Sequence, residues 1–448
     1  MTSMERRAAV GLAGIFALRM LGLFLILPVF ALHAQDLVGA TPLLIGMAIG
    51  AYGLTQALLQ IPFGMLSDRV GRKPVIFGGL ILFALGSVVA AMADDIAGVI
   101  LGRVIQGSGA IAAAVMALTA DLTREQVRTR AMAGIGMSIG MAFALALVLG
   151  PALAHWVGLD GIFWFTALLA IGGILILALI VPNPQHSSVH RDAEPVASQF
   201  RGVLSQGDLL RLDFGVLTLH MLMTSLFLVI PLTMQELGLP AVDHWWVYLP
   251  VLVLSVAAMI PFIIQAESRG RMKPIFLGAV AVLALSLLGL YGFGDGIAAI
   301  AVFLFLFFTA FNLLEASLPS LISKIAPAGA KGTAMGVFST SQFAGAFLGG
   351  LVGGLVHQEW GGGGVLLFCA VAAIVWFLVA LSMGRPRQVS SQVIRVSGEV
   401  GDWELQRRLL QIPGVEEAVV VAEEGLAYLK VDNRQLDWAR LQAFSVGD

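Results

Sequence analysis

The sequence predicts an all-α polytopic membrane protein, with twelve transmembrane helices in two pseudo-symmetric six-helix halves, followed by a small α+β domain. Three observations predict it. Apolar runs of about twenty residues, each long enough to cross ~30 Å of hydrocarbon, recur through most of the chain. Lysine and arginine fall in alternate loops between these runs. Two of the basic loops resemble each other across a long, nearly constant offset.

Composition agrees. Of 448 residues, 58% are hydrophobic and 12% charged, with a mean hydropathy of +0.91. A soluble domain carries roughly 25% charged residues, so this chain has too few charges to coat a water-facing surface. Its 52 glycines suit tightly packed membrane helices. A net charge of −2 argues against a nucleic-acid partner. The single cysteine, Cys369, lies in an apolar run, which excludes a disulfide framework and a cysteine metal cluster. No Walker-type loop is present, and Gly107-Ser108-Gly109 falls inside an apolar run, so ATP is not expected to drive the protein. No cofactor or metal is expected.

The first run, Ala8 to Leu32, follows Arg6 and Arg7 as a signal peptide's core would. It is too long for one and is interrupted by Arg19, so it reads as a first transmembrane helix. The expected spans are 10–32, 43–65, 74–93, 97–120, 131–155 and 161–181, then 212–236, 245–265, 274–293, 297–322, 332–357 and 364–384. Under this reading Arg6 and Arg7, Arg69, Arg72 and Lys73, and Arg124, Arg128 and Arg130 share one side. So do Arg191 and Arg201, Arg269, Arg271 and Lys273, Lys324 and Lys331, and the basic residues from Arg385 onward. The opposite loops carry Asp36, Asp94, Asp160, Glu236, Asp295 and Glu359 and no lysine or arginine. Basic loops stay inside, so both termini are expected in the cytoplasm.

The stretch Asp68-Arg69-Val70-Gly71-Arg72-Lys73-Pro74 recurs loosely as Glu267-Ser268-Arg269-Gly270-Arg271-Met272-Lys273-Pro274, with the prolines offset by 274 − 74 = 200. Ala131-Met132 and Ala334-Met335 are offset by 334 − 131 = 203. Two markers at nearly one offset suggest a duplicated six-helix unit with a substrate site between the halves near the midplane. The domains are then 1–181 and 209–386, joined by a cytoplasmic linker at 182–208 rich in Pro, His, Ser and charge, with 387–448 beyond.

The loop Gly64-Met65-Leu66-Ser67-Asp68-Arg69-Val70-Gly71-Arg72-Lys73-Pro74 matches the signature loop of the major facilitator superfamily nearly position for position. Arg103, Gln106, Gly107 and Gly109 resemble that superfamily's second motif. The resemblance covers residues 1–386, and the soluble extension makes the chain similar to a group of bacterial inner-membrane transporters within it. It implies solute–proton antiport or symport by alternating access. One departure weakens antiport. Many drug antiporters of the superfamily end a glycine-rich motif of span five in Gly-Pro and a glycine pair, whereas Gly150-Pro151 here precedes Ala152-Leu153-Ala154.

In the signature loop, Gly71 and Pro74 force a tight turn. Asp68, at a helix end, is placed to accept from nearby arginines or to meet the positive start of span eleven near Gly332. Asp121 and Arg128 are expected to complete the charge cluster. Gly64, Asp68, Arg69, Gly71, Arg72, Asp121 and Arg128 then form a cytoplasmic gate that breaks when the halves rock. The alternative is that Arg69, Arg72 and Lys73 only enforce orientation. Glycines at four-residue spacing, Gly136 and Gly140 in span five and Gly345, Gly349 and Gly353 in span eleven, predict close helix approach in both.

Charges inside spans cost ~2.5–3.5 kcal/mol and usually face a cavity or a partner. Arg19, Arg103, His220 and Glu315 stand out, with Asn312 three residues before Glu315 on its face and Tyr52, Gln56 and Gln60 as a polar stripe in span two. Arg103 equally reads as a pin on helix carbonyls, His220 as a satisfied interior histidine, and the glutamines as interhelical glue. Arg19 and Glu315 come from opposite halves with opposite charges, and are expected to line one cavity. Some proton-coupled exporters of the superfamily carry a carboxylate in span one. This chain has none there, which leaves Glu315 as the expected proton carrier.

From about Val389 the pattern turns hydrophilic and alternating. Strand 393–396, helix 403–411, a hairpin of 418–421 and 427–431 around Glu424-Gly425, and helix 436–444 give a ferredoxin-like order without its last strand. Pro413-Gly414-Val415 before the hairpin resembles heavy-metal-associated domains. Their Cys-x-x-Cys loop is replaced by Ser-Gly-Glu-Val-Gly-Asp at 397–402, so thiolate copper transport is unsupported. Seven basic and ten acidic residues over 387–448 (7 − 10 = −3) disfavour nucleic acid there. The expected function is proton-coupled efflux of a small organic solute across a bacterial inner membrane, with uptake, or sensing through a regulatory or dimerising C-terminal domain, as the alternatives.

Overall fold

A computed structural model describes residues 1–184, 195–384, 389–396, 402–421, 425–432 and 434–444. Arg191, Arg385, most of the 397–402 loop and Glu424 of the hairpin turn lie outside the described residues.

Helix α1 (Ser3–Phe24) starts in a capping box, with the Thr2 hydroxyl accepting from the Glu5 N–H and the Glu5 carboxylate accepting from the Thr2 N–H. The run expected at 10–32 is not one helix. Turns replace it from Leu25, and a short α2 (Phe30–His33) follows. Pro28 explains the break, because its ring denies the helix an N–H and crowds the preceding turn. Thr41 caps α3 (Pro42–Val70), and Gly71, at φ 105°, turns the chain into α4 (Arg72–Ala91). The next run is also divided, into α5 (Ile96–Ser108) and α6 (Ala112–Asp121), around Gly109. An added Cβ at Gly109 would sit 2.2 Å from the Gly79 carbonyl oxygen, so α4 passes against bare backbone there.

Two helices are much longer than a membrane is thick. Helix α7 (Glu125–Leu179) has 55 residues and, after the short α8 (Phe200–Leu204), α9 (Gly207–Glu236), α10 (Trp245–Ser268), α11 (Met272–Phe293) and α12 (Ile297–Ile325), α13 (Lys331–Leu381) has 51. At 1.5 Å per residue each would reach ~75 Å. Each breaks at one glycine in the left-handed region, Gly158 (φ 69°) and Gly361 (φ 68°), 361 − 158 = 203 residues apart. That is also the offset between Ala131 and Ala334. Counted without these breaks, and with α5 and α6 taken together, 10 helical stretches among the described residues are long and apolar enough to cross a membrane.

Helix α13 packs most extensively on α9 and α3, and α7 on α1. Gly345 and Gly349 lie against the Leu217 and Met221 carbonyls of α9, and Gly353 against Ser225. On its other face Gly350 and Gly46 of α3 meet backbone to backbone, and Gly50 and Gly53 face the Phe347 and Phe343 carbonyls. The close approach expected at Gly136 and Gly140 is absent. Both are exposed, and an added Cβ would meet nothing within 4 Å. The spacing was right for a packed face, but that face of α7 points away from the other helices.

The C-terminal segment forms β1 (Ser390–Arg395), α14 (Asp402–Leu410), β2 (Val415–Val421), β3 (Leu426–Val431) and α15 (Trp438–Gln442). Strand order is β1-β3-β2, with both pairs antiparallel. Alternation divides β3 between two faces. Ala427, Leu429 and Val431 enter a core with Leu405, Leu409 and Leu441, while Leu426 and Tyr428 pack with Val421 against Ala328 of the α12–α13 turn.

Candidate functional site

The polar residues singled out by sequence lie in two clusters. The first is built on α1, α3 and α5. Arg19 is 1% exposed, and its Nη2 donates to Gln56 Oε1 at 2.7 Å and to the Gly109 carbonyl at 2.8 Å. The break between α5 and α6 makes that carbonyl accessible. Gln56 donates onward to Gln60 at 3.1 Å, so the expected stripe is a connected chain. The Arg19 guanidinium lies 5.7 Å from the Tyr52 ring centroid and 5.6 Å from that of Phe83. Arg103 lies 5.2 Å from the Tyr52 ring on its own approach. It donates to the Ala48 and Ile49 carbonyls of α3 at 3.3 and 3.4 Å and to Gln106 at 2.8 Å, while Gln106 donates to Ser87. These contacts favour the pinning role for Arg103. Among the described residues, Nε and Nη1 of Arg19 and the Tyr52 hydroxyl have no hydrogen-bond partner.

The second cluster joins α9, α12 and α13. His220 Nδ1 stands 3.2 Å from the Val216 carbonyl one turn earlier, and its Nε2 stands 2.8 Å from the amide nitrogen of Gln342. That amide donates to Glu315 Oε1 at 3.2 Å, and the other carboxylate oxygen lies 3.7 Å from His220 Nε2. Sequence reasoning did not select Gln342, although the polar run Ser339-Thr340-Ser341-Gln342 inside an expected span was a usable signal. Asn312 does not join Glu315. Its amide donates to Ser255 of α10 at 3.1 Å. Nor does the structure place Arg19 against Glu315. Every partner recorded for Arg19 lies on α3, α4 or the α5–α6 break, and those of Glu315 lie on α9 and α13.

At the α3–α4 turn, Arg72 is 2% exposed and bridges acids from two helices, donating to Asp68 and, at 3.4 Å, to Asp121. It also donates to Ser67 Oγ at 2.9 Å. Arg128 donates to the Ala120 carbonyl at 3.4 Å, close beside Asp121. Gly64 is buried, and an added Cβ would press on Ala113 of α6. Arg69 is exposed.

The expected meeting of Asp68 with the start of α13 does not occur, because other groups hold that end. Thr333 donates to Gln199 Oε1 at 2.8 Å and accepts from the Val196 N–H at 2.9 Å. Gln199 donates to the Gly329 carbonyl at 2.9 Å, and Pro195 packs on Gly336. From the C-terminal domain, Glu417 accepts from the Ala328 N–H at 3.1 Å. Lys430 donates to the Ser323 and Lys324 carbonyls at the end of α12.

The Major Facilitator Superfamily domain matches residues 12–350 and 214–420. Inner membrane transport protein YajR of Escherichia coli K12 is 49% identical over 435 residues, which span 97% of this chain and 96% of that protein. Multidrug resistance protein MdtH of Aeromonas hydrophila is 26% identical over 75% of this chain and 84% of its own length. A solved bacterial homologue of the human lysosomal transporter Spinster, 13% identical, superposes with a TM-score of 0.71, covering 86% of this chain and 98% of that one. At that identity it shows the fold. The helical frame with its signature turn, the family match and the relative of nearly full length agree: the chain is a membrane transporter, not an enzyme, and belongs to the major facilitator superfamily.

Proposed function

We propose that the protein is a secondary transporter that moves a small organic solute outward across a bacterial inner membrane in exchange for protons, by alternating access. The observation that carries this reading is Glu315. It is a carboxylate inside a membrane helix, flanked by His220 and Gln342 from two other helices, ten residues before the end of α12 or ~15 Å along it. An ionisable group at such depth marks an ion or substrate path. The outward direction draws on the relative named for multidrug resistance, and the inner membrane on the Escherichia coli relative's name.

In this reading Gly158 and Gly361 are the turns that divide α7 and α13, which gives twelve crossings in two halves, 1–181 and 209–386. The basic loops and both termini face the cytoplasm. Arg19, Tyr52, Gln56 and Arg103 supply polar contacts from the first half. His220, Asn312 and Glu315 supply them from the second. Gly64, Asp68, Arg69, Gly71, Arg72, Asp121 and Arg128 form the cytoplasmic gate. Residues 387–448 form a ferredoxin-like domain without its last strand. A domain in contact with the α12–α13 turn is suited to a regulatory role, through a bound regulator or a second copy.

The test uses purified protein in liposomes with a solute chosen by thermal-shift screening. A proton gradient should drive that solute against its own gradient, and adding the solute should move protons in the opposite direction. Solute movement that ignores the proton gradient would refute the coupling.

A further inference from the structure

The loop between α9 and α10 carries a buried histidine that the transport reading leaves unused. We infer that His244 is an acid-sensitive latch: its neutral ring seats this loop against α7 of the other half, and a proton from outside releases it. This rests on the proposed topology, which puts the loop outside the cytoplasm and α7 and α10 in different halves.

The loop is short and folds on itself. Gly238, at φ 87°, turns the chain out of α9. The Pro240 carbonyl then accepts from the Asp243 N–H at 2.9 Å, closing a single tight turn, Ala241–Asp243. That turn packs against α7. His244 follows it, just before α10, and is 0% exposed. Its Nε2 stands 3.1 Å from the Leu239 carbonyl, so one side chain ties the two ends of the loop together.

Behind the latch, aromatic rings cross from one half to the other. His244 meets Tyr248 edge-on, with 6.2 Å between ring centroids. Tyr248 lies 6.1 Å from Phe227 of α9, and Phe227 lies 6.1 Å from Phe143 of α7. Phe143 in turn stands edge-on to Phe24 of α1 at 5.2 Å. His244 is the outermost rung of a ladder that joins the halves.

Donor chemistry sets the resting state. A carbonyl only accepts, so the Nε2 that faces Leu239 carries the hydrogen and Nδ1 of the neutral ring is bare. Nδ1 is buried and has no partner among the described residues. A second proton must go there, placing a charge and an unmatched N–H in the interior, which is costly. The Tyr248 hydroxyl is also buried without a partner and makes no hydrogen bond to the ring. Burial holds the imidazole below its ordinary 6.5, against the pull of the Leu239 carbonyl and the Asp243 carboxylate. Asp243 is the charged group whose field reaches the ring. Among the described residues, no hydrogen bond or ion pair joins the ring to Glu236 of α9, or to His155 and Asp160 of α7.

The sign follows. A released histidine binds its proton with ordinary affinity, and the seated one binds it more weakly, so seating is lost as pH falls through 6.5. The proton comes from water and returns to it, and no other bond changes. In a carrier driven by protons from outside, such a latch frees the outer face when protons there are plentiful.

The experiment follows amide hydrogen exchange in residues 237–248 of the full chain in lipid nanodiscs, corrected for the intrinsic effect of pH. No solute or gradient is present. Between pH 7.5 and pH 5 protection should fall several-fold, and by at most about thirtyfold. In His244→Gln, whose amide does not titrate, the dependence on pH should vanish at whatever level of protection that variant shows. Spin labels at Val242 and at Val157, beside the Gly158 turn of α7, should move apart over the same range. Protection that ignores pH in the unmodified protein would overturn the latch, as would the same fall in His244→Gln. A loop that loosens while the labels keep their distance would overturn its role between the halves. A reporter fusion that placed the loop in the cytoplasm would overturn it too. Transport found to be uncoupled from protons would refute the function proposed above and leave the latch standing.

Discussion

Lys430, in the central strand of the C-terminal domain, donates its ammonium group to the Lys324 carbonyl at 3.2 Å, in the last turn of α12. The end of a helix presents unpaired carbonyls and a partial negative charge, so a lysine there satisfies both needs. Glu417 of the same domain accepts from Ala328 four residues on, so one small domain holds both sides of the α12–α13 turn.

This contact has a pH dependence of definite sign. Lys430 is 2% exposed, and burial lowers its pKa from 10.5 to about 8, helped by nearby Lys331 and opposed by Glu417. Between about 8 and 10.5 the released lysine binds more protons than the docked one, so docking strengthens as pH rises through that window. The gain is at most about 1.4 kcal/mol per pH unit. Proteolytic release of the domain should slow from pH 8 to pH 10, and Lys430→Met should remove that dependence. A rate that is flat in the unmodified protein would show that the lysine is not held there. Deleting 388–448 should leave a membrane-inserted protein, because the membrane helices satisfy their own backbone groups.

The glycine contacts give a paired test. Gly350→Ala puts a Cβ about where the Gly46 carbonyl oxygen stands, 2.2 Å away, so α3 and α13 must separate. The expected cost is ~1–3 kcal/mol, read by thermal unfolding, with faster maleimide labelling of a cysteine at Phe347. Gly136→Ala enters open space and should be neutral or stabilising by up to ~1 kcal/mol. Equal effects at the two positions would contradict the packing described.

Topology follows from charge. Reporter fusions near Arg72, Arg128 and Arg271 should report the cytoplasm, and those near Asp94, Asp160 and Asp295 the opposite side. One reversed fusion would reject the twelve-crossing arrangement.

At the signature turn, Asp68→Asn leaves the buried Arg72 with Asp121 and Ser67 but one charge short. Transport should fall at least about tenfold while insertion and folding persist, since Asp68 touches the turn and not the α3–α13 seam. Unchanged transport would reduce the turn to an orientation signal.

Much of the helical frame was legible because long apolar runs recur in the sequence where the long helices form. The breaks at Pro28 and Gly109 were not, since an apolar run looks the same whether or not one residue interrupts its ladder. Arg72 with Asp121 could be anticipated from residues at the ends of neighbouring spans. The hold of Gln199 and Glu417 on the start of α13 could not, because those contacts reach across 130 and 89 residues with no local signature. Glu315 and His220 were visible as charges misplaced in hydrocarbon. Gln342 carries no charge, and only the geometry reveals its place between them.

The most direct test of the proposed mechanism is transport by Glu315→Gln in proteoliposomes. Glutamine keeps the size and can still hydrogen-bond, but it cannot titrate. The expected result is loss of gradient-driven accumulation with binding and solute–solute exchange preserved, because only the proton-carrying step has been removed. Gradient-driven accumulation equal to that of the unmodified protein would show that Glu315 is not the carrier.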